Sequence, residues 1–228
     1  MPEPTSEQPP PQRVTLGRMH NPVRGLLDAA AAVLAVAGGF FLFVEAPSAA
    51  TRIAVMVFAL GLVALYTTSS LYHSIPWSEP WKRRMQRTDH SMIFVLIAAS
   101  YTPVAVLTTS GWTRIVLLVM AWGITAVGVG QQVFFPVERN TFGITLMTTL
   151  GWIGLIMLPS VAKTAGASAV MLLLAGGVLY TAGMVMLVTR RPRLWPRVFS
   201  YHEAFHVLVV AASAFHFTSI YRSLALTG

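Results

Sequence analysis

The chain has no cysteine and very little charge: Asp, Glu, Lys and Arg together make up 11% of its 228 residues, and only 8 of those are acidic. Without thiols there is no disulfide framework and no thiolate metal site, so any metal must be held by histidine, carboxylate or water. A soluble domain carries about 25% charged residues. A chain with less than half of that share, and with 55% AVILMFWYC, cannot clothe a watery surface. These deficits point to an integral membrane protein and exclude disorder, collagen and a soluble nucleic-acid binder together. The excess of 16 Lys+Arg over 8 Asp+Glu, +8 net, would suggest nucleic acid in a soluble protein. In a membrane protein the same charge sits in loops and reports orientation.

An apolar run is also missing from the first two dozen residues, which hold six prolines and three arginines. Residues 1–25 are therefore expected to be a flexible, Pro-rich cytoplasmic tail rather than a secretory signal, with the membrane domain at 26–228. Alternation of polar and apolar residues, the mark of a membrane barrel, is absent. What is present is a series of apolar runs near the ~20 residues that cross a ~30 Å hydrocarbon core. Seven are found, at roughly 27–46, 53–73, 90–109, 115–135, 142–162, 169–189 and 202–222. The expected fold is an all-α bundle of seven transmembrane helices.

Lys and Arg are unevenly shared between the two sides of that bundle. Twelve of the sixteen fall in the tail (Arg13, Arg18, Arg24), the second loop (Lys82, Arg83, Arg84, Arg87), the fourth (Arg139) and the sixth (Arg190, Arg191, Arg193, Arg197). The other side has Arg52, Arg114, Lys163 and Arg222. The positive-inside rule puts the amino terminus in the cytoplasm and the carboxyl terminus outside. The basic cluster from Lys82 to Arg87 is expected to meet anionic lipid head groups, and tryptophans near the span ends to form interfacial belts.

An ionisable side chain inside a span is expensive and is a functional hypothesis by default. Spans five and six have none, whereas spans two, three and seven carry His73, Asp89, His90, His202, Glu203, His206 and His216. All except His216 fall at one depth, near the cytoplasmic face. His202 and His206 are four apart, so a helix puts both imidazoles on one face at a separation that one ion bridges. His73 supplies a third nitrogen from another helix, and Asp89 a carboxylate that either binds the ion or holds its water. Three protein ligands plus water is the layout of a catalytic zinc site, with the water's pKa lowered toward ~7. Ser69, one helical turn before His73, lies about 6 Å deeper and is placed to orient a ligand, the water or a substrate carbonyl. Tyr66 and Tyr201 are further supporting candidates.

Each of these residues also has a plainer reading. Asp89 can be the N-cap or first-turn acid of span three, Ser69 can bond back to its own helix, and His90 can be interfacial. The segment His202-Glu203-Ala204-Phe205-His206 spells H-E-x-x-H, in which the glutamate of a soluble metalloprotease is general base. Composition excludes such a domain, leaving Glu203 as an assisting base or an interfacial carboxylate near Arg197. His216 is either bonded within the bundle or lining a cavity. Asp28 and Glu45 are read as marking the two ends of span one, Asp28 favoured by the helix dipole.

Taken together, Ser69-Ser70-Leu71-Tyr72-His73, Asp89-His90-Ser91-Met92-Ile93-Phe94 leading into Tyr101-Thr102-Pro103, and His202-Glu203-Ala204-Phe205-His206 resemble the haemolysin III family. That family is the bacterial branch of the progestin and adipoQ receptor group. The resemblance implies a seven-helix bundle with zinc near its cytoplasmic side, held by three histidines and a water positioned by an aspartate. Those roles fall on His73, His202, His206 and Asp89, with Ser69 close by. Eukaryotic members act as receptors and are linked to hydrolysis of ceramide-type lipids; the bacterial branch is named for haemolysis and connected with membrane homeostasis. The leading expectation is a zinc-dependent hydrolase of lipid amides or esters in a bacterial plasma membrane, with Asp89 and Ser69 in catalysis. Its partners are membrane lipids, including a lipid substrate, and not nucleic acid. Two alternatives stand beside it: a channel-forming or haemolytic protein with structural zinc, and a receptor or sensor of membrane state.

Overall fold

The computed structural model describes residue 19 and residues 21–135, 141–195 and 198–227. The first 18 residues of the expected tail, His20, Arg139 and Arg197 lie outside the described residues. The elements are helical: α1 (Pro22–Glu45), α2 (Ala49–Ser74), α3 (Glu79–Thr108), α4 (Gly111–Phe134), α5 (Thr141–Ile153), a 3₁₀ turn (Gly154–Met157), α6 (Leu158–Thr189) and α7 (Tyr201–Thr227). Among the described residues there is no strand. Large apolar side chains such as Leu34, Phe40, Trp112 and Phe134 point outward, up to 80% exposed, as lipid-facing side chains do and water-facing ones do not.

Among the described residues six stretches are long and apolar enough to cross a membrane, with 141–189 as one stretch of 49 residues. That stretch is not one straight rod. Gly166 has φ 77° and ψ 174°, outside the helical region, a conformation that glycine adopts without steric cost. At its other break, between α5 and the 3₁₀ turn, the Tyr101 hydroxyl accepts from the Gly154 N–H at 2.7 Å and donates to the carbonyls of Gly151 at 2.8 Å and Leu150. A side chain from α3 thus satisfies backbone groups that the interrupted helix leaves over, as an apolar setting requires.

Small residues set how closely the helices approach. A methyl group on Gly39 would stand 2.5 Å from the Ala59 Cβ, and one on Gly61 2.7 Å from the Ala99 Cβ. Bare hydrogens at these two points let α1 meet α2 and α2 meet α3 at close backbone distance, the usual basis of helix association in lipid. α7 closes the bundle against α1, α3 and α6. Two arginines, Arg52 and Arg114, cap helix ends. Arg52 donates to the Ala46 carbonyl at 3.1 Å, and Arg114 to those of Thr109 and Val106, each at 2.9 Å, occupying carbonyls that a helix C-terminus leaves without partners.

The starts of α1 and α3 differ from those read in the sequence. α1 begins at Pro22, so Arg24 and Gly25 belong to a helix rather than a tail. α3 begins at Glu79, so Lys82, Arg83, Arg84 and Arg87 lie on its first turns rather than in a loop. Asp89 is consequently ten residues into a helix and is neither an N-cap nor a first-turn acid. Asp28 does not mark the end of span one: it is six residues inside α1 and 1% exposed.

A three-histidine candidate metal centre

The site forms where the beginnings of α1 and α7 meet the end of α2. α1 is stitched to α2 there: the Asn21 N–H donates to the His73 carbonyl at 3.0 Å, and the Ser70 hydroxyl to the Gly25 carbonyl at 2.8 Å. A second attachment joins α1 to α7. Arg24 Nε and Nη2 lie 2.8 and 2.7 Å from Glu203 Oε1, and both side chains are buried. The other oxygen, Glu203 Oε2, accepts the Ser200 N–H at 2.8 Å. Ser200 immediately precedes α7, so Glu203 is the acid that reaches back from the third helical position to close the helix start. This accounts for the glutamate of the H-E-x-x-H segment: its two oxygens hold α1 and the first turn of α7.

With the helix ends so fixed, His73, His202 and His206 converge. One ring nitrogen from each lies within 4.8 Å of the others. The ring centroids are 4.9 Å apart for His73 and His206, 5.2 Å for His73 and His202, and 5.2 Å for the stacked pair His202 and His206. The i, i+4 spacing on α7 delivers the parallel pair, and α2 brings the third ring edge-on. His206 Nδ1 contacts the Asp28 carboxylate, at 2.9 Å from Oδ2 and 3.2 Å from Oδ1. Its other nitrogen, Nε2, is buried and has no hydrogen-bond partner. A buried polar atom in that condition is expensive unless something else occupies its lone pair. Three imidazole nitrogens, one of them orphaned and backed by a carboxylate, are a donor set suited to a divalent transition-metal ion.

Asp89 and Ser69 are buried, Asp89 is hydrogen-bonded to the Ser69 side chain, and its carboxyl lies within electrostatic reach of His206. Both line a cavity of about 680 Å³ that also touches Asp28, His202 and His206 and extends to Ile220 near the far end of α7. Its volume lies within the range of small-molecule sites. His90, half-buried, lines the same cavity, as does His216, whose ring stands 5.4 Å from that of Tyr180. Tyr201 stacks on His202 at 6.3 Å. Tyr66 is bonded away from the histidines. It donates to the Ser213 hydroxyl at 2.7 Å, and Ser213 is 2.8 Å from the Tyr180 hydroxyl, a chain tying α2, α7 and α6.

Residues 18–217 match the family described as Haemolysin-III related. The chain belongs to that family. Among relatives, Hemolysin-3 of Bacillus cereus is 30% identical over 190 residues, 82% of this chain and 83% of the relative. The Hemolysin-3 homolog of Bacillus subtilis (strain 168) is 28% identical over 158 residues, covering 69% and 71%. The human monocyte to macrophage differentiation factor, of the progestin and adipoQ receptor group, is 24% identical over 177 residues, covering 76% and 71%. Family membership and the apolar helices together make this an integral membrane protein. Two residues of the site escaped the sequence reading, Asp28 and Arg24. The available signal was their i, i+4 spacing at the edge of an apolar run, where an acid inside the span already calls for a partner.

Proposed function

We propose that this haemolysin III protein holds a zinc ion on His73, His202 and His206 and hydrolyses an amide or ester bond of a membrane lipid. The observation that carries the reading is the convergence of three imidazoles, with the His206 Nε2 left without a partner and with His202 and His206 lining a largely apolar cavity. A divalent ion held there supplies Lewis acidity toward a substrate carbonyl and lowers the pKa of water. Asp89 holds the attacking water, accepts its proton and returns it to the leaving amine or alcohol. Ser69, beside it, donates to the substrate carbonyl and fixes its direction. The apolar walls bind the chain of the lipid and keep bulk water from the reacting bond.

The same proposal includes the topology. At 1.5 Å per residue the 49 residues of 141–189 would reach about 73 Å, more than twice the hydrocarbon core. The stretch therefore crosses twice, turning at Gly166, which gives seven spans. The bias of Lys and Arg then sets the amino terminus in the cytoplasm of a bacterial cell, the carboxyl terminus outside, and the histidines under the inner leaflet of the plasma membrane.

The test is turnover on a panel of ceramides, acyl esters and phospholipids by the purified protein, compared with Asp89→Ala at equal metal content. The expected result is a product from at least one lipid class that Asp89→Ala no longer releases. Stoichiometric metal without turnover on the whole panel would reject the hydrolase and leave the membrane-perturbing activity named in the Hemolysin-3 relatives, or a sensor, as the function.

A further inference from the structure

We infer that Asp28 is the positioning residue of the metal centre: its carboxylate holds His206 in the one tautomer whose Nε2 lone pair faces the ion. The inference rests on the metal reading proposed above and deepens it. Two atoms of the ring are assigned by what surrounds them. An imidazole that ligates a metal is neutral and keeps one proton, and the nitrogen that faces an acceptor, where that proton makes a hydrogen bond, is Nδ1, 2.9 and 3.2 Å from the Asp28 oxygens. Neutral imidazole has one proton, so Nε2 is left bare, and it is this atom that is buried without a hydrogen-bond partner. The opposite tautomer would press a lone pair against the carboxylate and aim an N–H at the ion. Asp28 is not among the residues whose donor atoms converge within 4.8 Å, and its Oδ1 is the hydrogen-bond partner of Nδ1.

The placement of Asp28 follows from the fold. On α1, Arg24 and Asp28 are four apart; on α7, Glu203 and His206 are three apart. Both pairs lie on one helix face, so the helices meet through two rungs, Arg24 with Glu203 and Asp28 with His206. Ala31 and Ala35, buried further along α1, keep that face slim. The first rung sets the register of the second. A histidine ligand whose remote nitrogen bonds a carboxylate is more basic and better oriented, and loss of such a partner costs roughly 10- to 100-fold in metal affinity.

The test uses the full-length protein in detergent, titrated with Co²⁺ followed by visible absorption and then displaced with Zn²⁺. Wild type is expected to bind one equivalent, and Asp28→Ala to bind about 10- to 100-fold more weakly. Asp28→Asn, whose amide oxygen still accepts from Nδ1–H, is expected to recover most of that loss with an unchanged Co²⁺ band. Affinity of Asp28→Ala within threefold of wild type overturns the inference and leaves the metal reading intact. So does an Asn variant as weak as Ala with a displaced band, which would make Asp28 a ligand. No binding by wild type above a His73, His202 and His206 triple alanine variant overturns both. A measurement that needs no Asp28 variant is the ¹⁵N spectrum of histidine-labelled, metal-free wild type. The signal pair missing from His206→Gln should show Nδ1 protonated and Nε2 bare, and the reverse assignment refutes the inference.

Discussion

Replacing Glu203 by alanine separates the two meanings of the H-E-x-x-H segment. In the structure the carboxylate is buried, takes both Arg24 contacts on one oxygen at 2.7 and 2.8 Å, and takes the Ser200 N–H on the other at 2.8 Å. Removing it takes both Glu203 contacts from the guanidinium, in an interior where breaking a buried ion pair costs about 3–5 kcal/mol, and opens the α7 start at about 1 kcal/mol more. For a chain of this size each kcal/mol moves the unfolding midpoint by about 2–4 °C, so Glu203→Ala should unfold on the order of 8–24 °C below wild type. The companion is the double variant Arg24→Met, Glu203→Leu, in which the pair is exchanged for apolar groups of similar volume; such exchanges are often neutral, so the double variant should regain most of the loss. Thermal unfolding of the purified proteins, with metal content measured on the same samples, reads both. A Glu203→Ala protein that melts with wild type but has lost turnover would refute the structural role and return Glu203 to the position of a base.

Further outcomes follow from the helix contacts. Gly39→Ala pushes a methyl group to 2.5 Å from the Ala59 Cβ and should destabilise by about 1–3 kcal/mol; adding Ala59→Gly should restore the wild-type midpoint, and a double variant as weak as the single one contradicts that contact. Tyr101→Phe removes the hydroxyl that serves Gly154, Gly151 and Leu150, at about 1–3 kcal/mol; hydrogen exchange at Gly154 should accelerate, and unchanged exchange there argues against that hydrogen bond. Because the chain has no native cysteine, single cysteines report topology cleanly. One at Lys163 should react with an impermeant maleimide from outside intact cells and one at Lys82 only after lysis; the opposite pattern rejects the double crossing of 141–189 or the orientation.

Class and candidate ligands were legible in the sequence because both follow from local rules. Apolar runs of membrane length need no tertiary information, and His202 with His206 share a face on any helix. His73 was found by depth alone, which a bundle preserves. The residues misread were those whose role depends on a partner far along the chain. Hydropathy finds where hydrocarbon begins and not where a helix begins, so the charged first turns of α3, from Glu79 to Arg87, read as a loop. The same bias placed Asp28 at the edge of a span when it is six residues inside α1, 178 positions from the histidine it holds. Glu203 was ambiguous for a related reason: its spacing from His202 and His206 fits a protease motif, and the role of its Oε1 is shown by Arg24, 179 positions away. The break at Gly166 falls in the interval that separates the apolar runs 142–162 and 169–189, whereas the 3₁₀ turn Gly154–Met157, inside the first of those runs, left no mark.

The most direct test of the account is zinc K-edge absorption on the purified, metal-replete protein. The account predicts one zinc per chain with three imidazole nitrogens at about 2.0–2.1 Å and one further light ligand, and loss of the imidazole scattering in the triple alanine variant of His73, His202 and His206. A zinc shell without imidazole scattering, or the same stoichiometry and spectrum in that variant, would contradict it.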